Sequence, residues 1–170
     1  MTYIYTDIMD NRYLTLIHGN RDEILEAIHE TITSYDKPVT SYEAPLNIDL
    51  NDVHYNPPIL KCQLWTPDNS QGVAYFANLR DGMPFLMYRL SKNYNFEFTQ
   101  VSLDVDIDSE YIYAMRVFHH IDKNGNERFI KKRLTNEMIL DYALALGWDL
   151  RSPDFWQSRT DARYYEWSNR

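Results

Sequence analysis

Apolar positions recur along the chain with two different periods, and each change of period marks a new element. Tyr3–Ile8 and Arg12–Ile17 are short β-rich runs, and Asp10-Asn11 between them suits a tight turn, so the pattern predicts an N-terminal hairpin. From Asn20 the period becomes helical. Ile24, Leu25, Ile28 and Ile32 form one stripe, with Glu26 and Glu30 off it. Asn20 is placed to cap this helix, Glu23 completes a capping-box spacing, and the end is expected near Thr33, ahead of Asp36-Lys37-Pro38. Pro38, Pro45, Pro57 and Pro58 interrupt the following segment, in which Leu46–Leu50 is a candidate short strand. Ile59–Trp65 is a stronger one.

The middle of the chain reads as an antiparallel meander. Val73–Leu79 and Pro84–Leu90 flank Asp81-Gly82, a hairpin dipeptide because both central positions favour positive φ. Phe96–Leu103, Tyr111–Ile121 and Glu127–Leu134 follow as three more strands, the last two joined through Asn124-Gly125. Thr135 then caps a second helix, with Leu134 able to staple onto Ile139. Met138, Ile139, Tyr142, Ala143 and Leu146 face inward, and Gly147 stops the helix just before Trp148. Ser152-Pro153-Asp154 has the form of another helix start, and a C-terminal helix to about Trp167 would align Trp156, Thr160, Tyr164 and Trp167. The expected fold is α+β: an antiparallel β-meander of about five or more strands with two or three helices packed mainly on one face. The chain is read as a single domain, 1–170, with an N-terminal hairpin, helix and irregular strands in 1–66, the meander in 72–134 and C-terminal helices in 135–170.

Composition narrows the classes of function. A chain of 170 residues that is 44% hydrophobic can bury a real core. Cys62 is the only cysteine, which excludes an intramolecular disulfide and a cysteine-based zinc site. The net charge of −8 disfavours nucleic acid and anionic membrane surfaces, which are bound mainly through Lys and Arg. No run approaches the roughly 20 apolar residues of a membrane span, and Met1–Asp7 lacks the pattern of a secretory signal. A soluble, cytoplasmic protein is expected. The charge is also uneven: residues 1–110 carry a net −10 and residues 111–170 a net +2.

Chemistry-bearing clusters are few. Asp104, Asp106 and Asp108, followed by Glu110, recur at period two, so a strand would place the three aspartates on one side. They read first as a partner-binding or solvated edge, and as a weaker alternative Asp104 and Asp106 with His119 would supply a divalent metal site. His119 and His120 are adjacent, so a strand sends them to opposite faces. Asp122–Asn126 fails as an EF-hand loop, because the sixth and twelfth positions from Asp122 are Glu127 and Arg133 rather than Gly and Glu. Lys131 and Arg133 would share a strand face and form a basic counterpart to the acidic run. Cys62 sits in an apolar strand with no sign of a base to activate it. No phosphate-binding glycine loop, nucleophile elbow or H-E-x-x-H motif is present.

These readings point to a non-enzymatic intracellular protein that binds a basic protein partner, of the kind an immunity protein or inhibitor represents. Its acidic, Tyr-rich surface would use Asp104, Asp106, Asp108, Glu110, Glu26 and Glu30, and no cofactor is expected. Tyr and Trp anchor interfaces at low entropic cost, and acidic complementarity speeds association. Two alternatives stand beside it: a small-molecule or peptide binding module with a pocket at Trp156, Tyr164 and Trp167, and a divalent-metal-dependent hydrolase using the Asp-x-Asp-x-Asp run.

Overall fold

The computed structural model describes residues 5–9, 12–34, 37–48, 53–103 and 116–170. One sheet dominates it. Its strands are β1 (Tyr13–His18), β2 (Val39–Ala44), β3 (Ile59–Trp65), β4 (Val73–Ala77), β5 (Glu97–Ser102), β6 (Val117–Ile121), β7 (Glu127–Ile130) and β8 (Ala162–Ser168). The helices are α1 (Tyr5–Ile8), α2 (Arg21–Thr33), α3 (Pro84–Asn93) and α4 (Asn136–Ala145), with a 3-10 turn at Pro153–Trp156. The strand order is β2-β8-β3-β4-β1-β5-β6-β7, and every neighbouring pair is antiparallel. The fold is α+β, as the sequence pattern indicates.

Strand alternation divides the core into two layers. Leu14, Leu16, Trp65, Phe76, Val101 and Phe118 point to the face closed by α4 and the 3-10 turn. Ile17, Leu64, Val73, Tyr75, Phe98 and Tyr165 point to the face closed by α2 and α3. Two of the three long helices thus share one face. Each fully buried aliphatic side chain in these layers contributes about 1.5–3 kcal/mol, so the sheet is held from both sides.

The expected punctuation of α2 and α4 is present. Asn20 Oδ1 accepts from the backbone N–H groups of Asp22 and Glu23, and Thr135 Oγ1 accepts from that of Met138. The Trp148 N–H returns to the Ala143 carbonyl across Gly147, whose φ is +96°. The Asn124-Gly125 turn joins β6 to β7, with Asp122 Oδ1 accepting from the Asn124 and Asn126 N–H groups.

Four expectations are corrected. Pro84–Leu90 is not a strand but the first part of α3. Asp81-Gly82 does turn the chain, yet Pro84 then occupies a first-turn helical position and Leu86, Met87 and Leu90 bury at helical spacing. No C-terminal helix runs to Trp167. The Ser152-Pro153 start yields only a single 3-10 turn, Gln157 is already extended, and β8 follows. Tyr5–Ile8 is helical rather than a hairpin strand. Leu46–Ile48 is irregular, and residues 49 and 50 of that expected strand lie outside the described residues; the strand described just before them is β2, a polar edge strand with no apolar alternation to reveal it.

The position of β8 is the main topological finding. The last strand of the chain lies between β2 and β3, pairing Tyr42 with Tyr164 on one side and Gln63 with Tyr164 on the other.

Candidate functional site

The α2–α3 face combines charge with exposed aromatics. Asp22, Glu23, Glu26 and Glu30 all lie on the solvent side of α2, opposite Ile24, Ile28 and Ile32. Among the described residues, Glu23 and Glu26 have no basic partner. Glu30 accepts from Tyr94 Oη at 2.7 Å, and this bond, more than burial, raises the tyrosine pKa. Beyond Tyr94, α3 exposes Phe85 and Tyr88, and Tyr88 Oη reaches Glu127 of β7 at 3.2 Å. Phe129 of β7 is 55% exposed. This surface runs from an acidic helix to an aromatic edge strand. Asp104, Asp106, Asp108 and Glu110, the other acids expected at an interface, lie outside the described residues.

The adjacent histidines take opposite faces, and each meets a glutamate. His119 Nε2 contacts Glu127 Oε1 beside the rings of Tyr88 and Phe129. His120 Nε2 lies 3.0 Å from Glu97 Oε1, and its Nδ1 lies 2.9 Å from Thr99 Oγ1. The Glu97–His120–Thr99 line has the connectivity of a nucleophile triad. Thr99, however, is fully buried, so its hydroxyl orients the imidazole and cannot reach a substrate. Among the described residues no group of three His, Cys, Asp or Glu is arranged to hold a metal ion. Of the alternative metal set only His119 is described, and it is occupied with Glu127.

Cys62 is 3% exposed, and burial pushes its thiol pKa far up, which opposes thiolate formation. Lys131 and Arg133 follow the end of β7 and do not share a strand face.

The three C-terminal aromatics proposed to share a pocket are separated. Trp156 is 1% exposed, packs near Trp65 and Phe76, and donates from Nε1 to the Leu150 carbonyl at 3.0 Å. Trp167 points to the opposite face of the sheet, in the layer under α2 and α3. Their expected alignment required a helix. On a strand, positions 164 and 167 point to opposite faces.

Tyr164 does line a cleft, of about 190 Å³, in company that the sequence pattern did not flag. Its floor is a cross-strand row: Tyr42, Tyr164, Gln63 and Phe76 stand side by side on β2, β8, β3 and β4. The Tyr42 and Tyr164 rings stack at 5.0 Å and 10°. The Arg12 guanidinium lies 4.3 Å from the Phe76 centroid. Lys61 and Glu166, paired in register, form one wall, and Asn47 another. Tyr164 Oη accepts from the Asn47 N–H and donates to the Pro45 carbonyl, fixing the segment after β2 over the cleft. Gln63 was legible only as one polar residue in the apolar run Ile59–Trp65.

No helix among the described residues is long and apolar enough to cross a membrane. Comparison of the chain with protein-family models, curated proteins and solved structures finds no match.

Proposed function

We propose that this protein acts by binding a basic protein partner through the α2–α3 face. The observation that supports the reading most is the outer side of α2, where Glu23, Glu26 and Glu30 are exposed together beside the aromatics of α3 and β7. Acids of this kind accelerate encounter with a positive surface and are screened by salt. Exposed Tyr and Phe supply the contact area that persists once the surfaces meet. The Asp104–Glu110 run adds a second acidic stretch to the same partner chemistry.

The test is affinity capture from the source cell at low and high salt, with the native protein and with Glu26→Lys/Glu30→Lys. The expected result is one stoichiometric basic protein, retained by the native form, weakened by salt and lost from the double variant. Matching thermal melts establish that both forms are folded. An Asp104→Asn/Asp106→Asn/Asp108→Asn variant divides the contribution between the two acidic stretches. Capture of the same protein by native and charge-reversed forms, or of none at low salt, overturns the proposal.

A further inference from the structure

Gln63 is 8% exposed, yet among the described residues its side-chain amide has no hydrogen-bond partner. Its amide nitrogen and oxygen are not sealed from solvent but open into the cleft, where water or a ligand can pair with them. Asn78 shows the ordinary behaviour nearby: its Oδ1 accepts from the Lys61 N–H and its Nδ2 donates to the Ile59 carbonyl. Gln63 instead lines the cleft, in register with Phe76 on one side and Tyr164 on the other.

We propose that this cleft binds a flat heteroaromatic ring of the nucleobase class, with the Gln63 amide pairing to its polar edge. A primary amide holds a donor and an acceptor side by side, and this matches rings that present an adjacent acceptor and donor, as adenine does at N7 and N6. The Tyr42–Tyr164 pair supplies a stacking surface, with Tyr42 still 46% exposed, and aromatic stacking accepts any base because every base has a π-face. The volume of about 190 Å³ falls below the roughly 300–1,000 Å³ of pockets that hold drug-sized ligands. It suits a single ring system with any attached sugar projecting outward. Arg12, Lys61 and Glu166 all line the cleft, so it carries both signs of charge, and a neutral ligand fits it better than a phosphate. The net charge of −8 argues for a free base or nucleoside over a polynucleotide. The cleft lies on the opposite side of the sheet from α2 and α3, so this inference stands independently of the protein-binding surface.

Titration calorimetry on the full chain with adenine, cytosine, adenosine, AMP and phenol tests it, read together with the NMR signals of the Gln63 side-chain amide. At least one base should bind, adenosine should bind comparably to adenine, and the Gln63 amide signals should shift in the unmodified protein. Gln63→Leu should weaken the base by at least about tenfold, with a cooperative melt showing that the variant is folded. Gln63→Met serves in its place if Gln63→Leu fails to fold. Glu26→Lys should leave base binding unchanged. Absence of binding by both bases, unmoved Gln63 signals on saturation, undiminished binding by the Gln63 variant, phenol binding as tightly as the bases, or AMP binding about tenfold tighter than adenosine would each overturn the proposal.

Discussion

The indole N–H of Trp148 donates to Nε2 of His18 at 2.5 Å, tying the segment after α4 to the end of β1. This bond requires an unprotonated Nε2. Burial holds the His18 pKa below its usual value. Glu97 on β5 pulls it back up, while His120 on β6 and Lys123 in the β6–β7 turn push it further down. The unfolded chain therefore takes up a proton at a higher pH than the folded one. Stability from this group is present above about pH 6.5 and is lost as pH falls from there through the folded pKa. Calorimetric melting temperatures should drop between pH 7 and pH 5, and His18→Gln should flatten that dependence, since its amide oxygen accepts the indole N–H without titrating. Identical pH profiles for the two proteins would remove His18 from this role.

Gly72 occupies a backbone position no other residue fits. Its φ is +110°, and an added Cβ would lie 2.2 Å from the Ile17 carbonyl oxygen and 3.1 Å from the Trp148 ring. Gly72→Ala must displace either β1 or the indole. A loss of about 2–4 kcal/mol is expected in urea unfolding, with the denaturant slope unchanged.

Truncation after Trp148 removes β8 and leaves β2 and β3 without the strand that separates them. It also deletes Tyr165 and Trp167 from one core layer and Phe155, Trp156 and Ala162 from the other. The shortened chain should lose its cooperative thermal transition and most of its strand signal in far-ultraviolet circular dichroism. A chain that still melted cooperatively would show β8 to be dispensable.

Trp156→Ala should cost about 3–5 kcal/mol, because it vacates volume beside Trp65, Phe76 and Phe155 and leaves the Leu150 carbonyl without its donor. Tyr164→Phe, which keeps the ring and removes only the hydroxyl that holds Asn47 and Pro45, should cost about 1 kcal/mol. Chemical denaturation of the two variants measures the contrast.

Legibility in the sequence followed the range of the forces involved. Asn20, Thr135 and Gly147 act within one helical turn, so the ends of α2 and α4 could be read locally. Glu26 and Glu30 are exposed because they lie off the apolar stripe that defines α2. The cleft was illegible because Tyr42, Tyr164, Gln63 and Phe76 come from four strands that only the sheet brings together. Gln63 gains its meaning from neighbours far away in the chain.

By itself the sequence determined the α+β class, the caps, the Asn124-Gly125 turn and the opposite facing of His119 and His120, all set by local backbone chemistry and short periodicities. Tertiary structure alone decided that Pro84–Asn93 is a helix, that Ala162–Ser168 is a strand, and that β8 lies between β2 and β3. The reason in β8 is burial on both faces. Ala162 and Tyr164 serve one core layer while Tyr165 and Trp167 serve the other, so the alternation of polar and apolar residues that marks a one-sided strand is absent.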